Sequence, residues 1–273
     1  MNEPPSTRRP PARPSAPVAH TPVRATRRRT PVEPVAVEPH RCTLSEQRRL
    51  LGASPFFAGL SDAELAQAAT AFRQANYRAG EAIHRAGDPA TRLSIVVAGQ
   101  VKIARPTPGG QDVLLAILGA DEHFGSLLEL GDAVYRDEAI AHTDCCVLWT
   151  SAEGFHALLL RYPAAALATL ALVAARLRAA HETIEQLSAY PVDRRVAATL
   201  LALADRMGRD EDGAILIDTV LSRQDLADMT GATVETVSRV LSDFRRTGLV
   251  ESGRRWIAVR DRDRLAALAR RGA

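Results

Sequence analysis

The stretch FGSLLELGDAVYRDEAIA, residues 124–141, has residue types that could cage an anion. Gly125 permits close backbone approach, a turn follows through Gly131 and Asp132, and Arg136 lies eleven residues beyond Gly125. A guanidinium pairs bidentately with a phosphate, and a glycine lets main-chain N–H groups reach it. The competing role for Arg136 is structural, as the partner of Asp137 or Glu138. A second such stretch is SRQDLADMTGATVETVSRVLSDFRRTGLVE, residues 222–251. There Glu235, Ser238 and Arg239 stand at i, i+3 and i+4 and share one outward helix face. Arginine can pair with guanine O6 and N7, and glutamate can accept from cytosine N4, so together they suit a G·C pair read from both strands.

The second stretch requires two short helices joined by a tight turn. Ser222 with Asp225 caps the first, Gly231 makes the turn, and Thr233 caps the second. Val237, Val240, Leu241 and Phe244 face inward, which leaves the reading residues near the second helix's N-terminus, where a recognition helix meets the major groove. VESGRRWIAV, residues 250–259, reads as a hairpin with its turn at Gly253 and arginines placed to touch a phosphate. The alternative is an ordinary αα-hairpin. The adjacent wing and the local basic charge favour DNA.

Upstream, residues 43–75 follow a helical pattern in which Ser61 and Glu64 form a capping box and Leu65, Ala68 and Phe72 share a side. Residues 76–150 then alternate in short runs (AIHRA, LSIVVAG, VKIAR, VLLAIL, CCVLWT) separated by glycines, the pattern of an antiparallel barrel or roll. After Pro163 the sequence is helical for about seven turns. Leu170, Val173, Leu177, Ala180, Ile184 and Leu187 are spaced 3-4-3-4-3, a seam for a second helix. The stripe could instead pack on the chain's own roll. Arg176, Arg178, Glu182 and Glu185 solvate the other sides and favour a dimer seam. Tyr190–Pro191 breaks the helix and makes a natural hinge.

The chain has 273 residues, 46% of them hydrophobic, enough for one or two domains plus extensions. Its formal charge of +3 is unevenly spread: +5 over residues 1–41, −6 over 42–219 and +4 over 220–273. A basic C-terminal module behind an acidic middle suits a polyanion partner. Residues 1–41 hold ten of the sixteen prolines and read as a disordered arm. Its Arg24, Arg27, Arg28 and Arg29 would either touch DNA phosphates or an acidic partner, or simply be solvated. Cys42, Cys145 and Cys146 cannot make a disulfide framework, which points to a reduced, cytoplasmic compartment. The longest charge-free apolar run, Ala164 to Ala175, is too short to cross a bilayer, and the N-terminus lacks the apolar core of a secretory signal. No membrane partner is expected.

In order and motif, residues 45–270 resemble the Crp/Fnr superfamily of bacterial transcription regulators. The resemblance implies an α+β fold: an N-terminal cyclic-nucleotide-binding-like antiparallel β-roll, a long dimerisation helix and a C-terminal winged helix-turn-helix. Its segments here are an arm over 1–42, the roll sensor domain over 43–163, the dimer helix over 164–190 and the DNA-binding domain over 191–273. TVETVSR, residues 233–239, is closer to the Fnr type than to the cyclic-AMP receptor type, which usually has arginine at Val234 and glycine at Ser238. By resemblance, Val234, Glu235, Ser238 and Arg239 face the bases of a TTGAT-like inverted repeat. Ser222, Arg223, Thr233, Thr236, Gly253 and Arg254 would contact phosphates. A homodimer and an RNA polymerase partner are implied as well.

The effector side departs from the cyclic-AMP receptors. Gly125 and Arg136 keep the spacing, but Ser126 replaces the ribose-binding glutamate and Asp137 replaces a phosphate-binding serine. Ala180 and His181 replace Thr-Ser on the dimer helix. Asp137 would pair with Arg136 and repel a phosphate. Cys42 is alone in the N-terminal region, so an iron–sulfur cluster lacks its ligands. Cys145 and Cys146 point to opposite strand faces. His84, His123, His142, His156 and His181 could ligate haem, though none lies in a haem motif. The expected protein is a cluster-free regulator like the FixK and Dnr branches, without a bound cofactor. The alternative is a regulator gated by a cyclic nucleotide or haem in the roll. No nucleophile–base set, phosphate loop or metal-ligand cluster supports an enzyme.

Overall fold

The computed structural model describes residues 43–107, 112–126, 131, 133–253 and 255–270. The expected arm with its arginines, Cys42, Asp132 and Arg254 lie outside the described residues.

Helix α1 (Leu44–Ala53) opens on a capping box in which Thr43 N–H donates to Glu46 Oε2 at 2.6 Å and Glu46 N–H donates back to Thr43 Oγ1 at 3.3 Å. A 3-10 turn at Pro55–Phe57 leads to α2 (Asp62–Ala69), which carries the expected Ser61–Glu64 box. The helical pattern ends earlier than expected: β1 (Arg73–Tyr77) replaces helix over Arg73–Ala75. Its partner is a strand some seventy residues on, and that hydrogen-bonding offer is invisible to local periodicity.

Seven further strands follow: β2 (Ala82–His84), β3 (Arg92–Ala98), β4 (Val101–Pro106), β5 (Asp112–Leu118), β6 (His123–Gly125), β7 (Glu138–Ala141) and β8 (Cys145–Ser151). They form two four-stranded antiparallel sheets, ordered β1-β8-β3-β6 and β2-β7-β4-β5. Val96, Val101, Ile103, Ala139 and Val147 alternate inward and share one apolar cluster, which makes the pair of sheets a roll. Helix α3 (Ala152–Arg161) returns to pack against Phe56 and Phe57 through Phe155.

Helix α4 (Pro163–Ala189) is the long helix, and Tyr190 leaves it in extended backbone. Of its stripe, Leu170, Leu177, Ile184 and Leu187 are 65%, 57%, 60% and 46% exposed. Val173 packs with Leu172 against the Phe56–Phe155 cluster, so that seam position serves the chain's own first domain. Arg176 also turns inward, donating from Nη2 to the His123 carbonyl at 2.5 Å, and does not simply solvate the helix. By length and composition α4 could cross a membrane, with a mean hydropathy of 1.4 over 18 residues. The charge-free run alone underestimated this, because Arg176 and Arg178 are the first charges on the helix and two charges leave an 18-residue average apolar.

Helix α5 (Val192–Met207) begins after Pro191, and Arg194 lies 3.3 Å over the Tyr190 ring. Next come the hairpin β9 (Gly208–Glu211) and β10 (Ala214–Ile217), then α6 (Arg223–Thr230), α7 (Val234–Arg246), β11 (Val250–Gly253), β12 (Trp256–Val259) and α8 (Arg262–Arg270). The four strands form one antiparallel sheet, β11-β12-β10-β9. Their apolar cluster contains Leu200, Leu226, Val237, Phe244 and Leu265, and also Leu114 and Ile117 of β5. The chain does break at Tyr190–Pro191, but the winged unit beyond it shares its core with the roll.

Candidate nucleic-acid interface and effector pocket

Helix α6 is closed at both ends by local chemistry. Ser222 N–H and Oγ–H donate to Asp225 Oδ2 at 2.8 and 2.6 Å, and Asp225 N–H donates to Ser222 Oγ at 3.0 Å. The hydroxyl proton of Ser222 is therefore committed inward, and in this arrangement Ser222 cannot donate it to a phosphate. Gly231 ends α6 in the left-handed region at φ 58°, a conformation that favours glycine. Thr233 then caps α7: its Oγ1 accepts from Thr236 N–H at 3.2 Å, and the two hydroxyls lie 3.0 Å apart.

On α7 the side chains of Val237, Val240, Leu241 and Phe244 are buried. Val234, Glu235 and Arg239 are exposed and Ser238 is half-buried, so the structure brings the four base-reading candidates to the open side of one helix. The basic pair Arg245–Arg246 closes the helix, where positive charge favours its negative end.

The wing turns one step later than expected. Gly253 still belongs to β11 and pairs with Trp256, and the left-handed residue of the turn is Arg255 at φ 64°. Glycine at 253 serves a different need, since a Cβ there would collide with the Trp256 indole.

Between α6, α7 and the wing opens a cleft of about 510 Å³ lined by Ser222, Arg223, Arg245, Ser252 and Arg255 among others. Arg223 Nη1 and Ser252 Oγ are shielded from solvent and have no hydrogen-bond partner among the described residues. Among the described residues, three arginines and no carboxylate line this cleft, which suits an anion. Arg245 and Ser252 escaped the sequence reading. Arg245 shows only as a helix-end cation there, and the approach of Ser252 is set by the wing's fold.

In the roll, Gly125 ends β6 at φ 104°, and a Cβ on it would collide with the Arg92 carbonyl. Ser126 N–H donates to that carbonyl at 2.9 Å, while its buried Oγ has no partner among the described residues. Arg136 is exposed. Asp137 lies 3.6 Å from His84 Nε2 and 3.9 Å from Arg105 Nη2. The His84 ring stacks on Tyr135 at 3.7 Å, and the Tyr135 hydroxyl accepts from Arg92 N–H at 3.0 Å. A phosphate at this point would meet a carboxylate. Ala180 and His181 are both exposed on α4.

Cys145 and Cys146 are buried neighbours on β8. Burial, then the Asp144 and Glu81 carboxylates, pushes the Cys145 thiol up to about 12, far from a reactive thiolate. His123 is buried edge-on to Phe56, with ring centroids 4.3 Å apart. Among the described residues no group of three His, Cys, Asp or Glu side chains is arranged to hold a metal.

A two-sheet roll, a long helix and a winged helix-turn-helix with an arginine-lined face define the class: a DNA-binding regulator carrying a cyclic-nucleotide-binding-like domain. Comparison with known proteins agrees. The description of the cyclic nucleotide-binding domain matches residues 74–162, and that of the Crp-like helix-turn-helix domain matches residues 194–268. The cyclic AMP receptor protein of Thermus thermophilus is 34% identical over 216 residues, 79% of this chain and 97% of the relative. The CRP-like cAMP-activated global transcriptional regulator of Mycobacterium tuberculosis is 28% identical over 221 residues, 81% of this chain and 99% of the relative. The solved structure of FixK2 from Bradyrhizobium japonicum superposes with a TM-score of 0.66 at 28% identity, covering 74% of this chain and 99% of that one. The chain belongs to the Crp/Fnr family of transcription regulators, and the relatives found are regulators rather than enzymes.

Proposed function

We propose that the protein is a cytoplasmic homodimeric regulator that reads a TTGAT-like inverted repeat and does so without cyclic AMP. The observation that carries the reading is the exposed α7 face, with Glu235 and Arg239 beside a cleft in which Arg223 Nη1 and Ser252 Oγ have no hydrogen-bond partner among the described residues. A second copy of the chain would cover the exposed stripe of α4, since full burial of a leucine or isoleucine is worth roughly 1.5–3 kcal/mol. Dimerisation along residues 164–190 sets two α7 helices into successive major grooves. In this reading Arg223, Arg245, Ser252 and Arg255 join Thr233, Thr236, Gly253 and Arg254 at the phosphates. Ser222 serves mainly as the cap of α6. RNA polymerase is the expected protein partner at promoters.

Independence from cyclic AMP rests on Asp137 and Ser126 in the roll and Ala180 on α4, where a carboxylate and two groups poorly suited to a nucleotide stand in the ligand positions. The kinship with a cyclic AMP receptor protein favours a second reading, in which a nucleotide gates the DNA-binding form. Fluorescence anisotropy on a TTGAT-N4-ATCAA duplex at fixed salt separates the two. Tight, specific binding without ligand supports the first reading, and binding that appears only with cyclic AMP supports the second. The base-reading assignment is tested by Arg239→Ala. It should cost about 1–3 kcal/mol and relax selectivity at the G·C pair; unchanged affinity would refute the assignment.

A further inference from the structure

The chain has a single lysine among its 35 basic residues, and that lysine faces the DNA-reading unit. Lys102, on β4 of the roll, makes an ion pair through Nζ with Asp225 Oδ1 on α6. The Asp225 side chain is 7% exposed, and its other oxygen, Oδ2, holds Ser222 N–H and Oγ–H. One carboxylate thus closes the N-terminus of α6 and receives the roll's cation.

The chain entering α6 is held by the roll as well. Gln100 Nε2 donates to the Asp218 carbonyl, and Gln100 Oε1 accepts from Thr219 Oγ1, both at 2.6 Å. His142 Nε2 lies 2.8 Å from the Val220 carbonyl. Beneath these contacts, Leu114 and Ile117 of β5 share a cluster with Leu226 of α6. Apolar packing alone would hold the two surfaces together but would tolerate small rotations. A desolvated ion pair adds little net stability, yet it penalises every seating that separates the charges.

Because α6 and α7 are separated only by residues 231–233, the seating of α6 fixes the direction of α7. We propose that Lys102 is a positioning residue for DNA recognition: its pair with Asp225 sets the angle of the reading helix against the roll, and hence the half-site spacing that a dimer accepts. The spacing consequence rests on the inverted-repeat reading above.

The test uses the full-length protein and two variants. Lys102→Met with Asp225→Asn removes both charges together, leaves no orphaned ion, and keeps an acceptor for Ser222, since the asparagine Oδ1 can accept where Asp225 Oδ2 does. Lys102→Arg keeps the charge. Affinities are measured by anisotropy on TTGAT inverted repeats with spacers from two to six base pairs and on an isolated half-site, alongside thermal unfolding. The parent should prefer one spacer by about tenfold, the Arg variant should keep that preference, and the double variant should unfold at a similar temperature while the preference flattens to about threefold or less. A double variant that keeps the parental spacer profile, or that loses affinity equally for every duplex and the half-site, overturns the proposal. If the parent prefers no inverted repeat, the operator reading fails and hydrogen exchange decides. Faster exchange confined to the Ser222–Leu226 amides of the double variant supports positioning by Lys102, and unchanged exchange there overturns it.

Discussion

Arg239 and Glu235 lie one helical turn apart on α7, and their exposure leaves hydrogen-bonding capacity for base edges. The arginine-lined cleft beside them holds a different chemistry. Arg223 Nη1 and Ser252 Oγ are desolvated with no partner among the described residues, a cost that an incoming phosphate would offset. Arg223→Ala and Arg245→Ala should each weaken binding to all duplexes alike and reduce the slope of log K against log salt by about one; salt titrations of specific and random duplexes read this directly. In the roll, burial and then the charge of Arg176 lower His123 to about 3. An unfolded histidine titrates near 6.5, so the unfolded chain takes up a proton that the folded chain resists. Stability is therefore complete above about pH 6.5 and falls toward pH 3 by up to about 1.4 kcal/mol per unit. Urea unfolding of His123→Phe should show a shallower loss between about pH 6.5 and pH 5 than the parent.

Helix α4 shows what an element's composition says before its surroundings are known. Leu170, Leu177, Ile184 and Leu187 stand exposed, and the helix is apolar enough to resemble a membrane span. A second copy of the same stripe would cover these side chains and leave Arg178, Glu182 and Glu185 in water. Leu177→Glu with Ile184→Glu should convert a dimer into a monomer in sedimentation velocity and leave the far-ultraviolet spectrum unchanged. A dimer that survives both charges would place the interface elsewhere. The 3-4 spacing was legible in the sequence, but Val173 was read as one more seam residue. Its contact with the Phe56–Phe155 cluster depends on where α4 crosses the roll, and spacing along one helix carries no such information.

At the scale of the whole molecule, the winged unit is seated on the roll rather than tethered to it. Leu114 and Ile117 lie in the cluster that also contains Leu200, Leu226 and Val237, and Arg206 Nη2 donates to the Ile117 carbonyl at 2.7 Å and to Glu122 Oε2 at 2.7 Å. Ile117→Ala removes a fully buried side chain and should cost about 2–5 kcal/mol. If the two units melt together, calorimetry of the parent shows one transition; two independent transitions would mean that the shared cluster does not couple them. The alternating strand runs, the Ser61–Glu64 and Ser222–Asp225 boxes, the Gly231 turn and the inward face of α7 were all determined by the sequence itself. Each depends on residues within a few positions of one another, so period and capping chemistry reveal them. Only the tertiary structure decided that β1 pairs with β8, that Arg245 and Ser252 meet in one cleft, and that Lys102 finds Asp225. These pairings join chain segments up to 123 residues apart, and such contacts form only where the packing of all the intervening elements brings the two surfaces together.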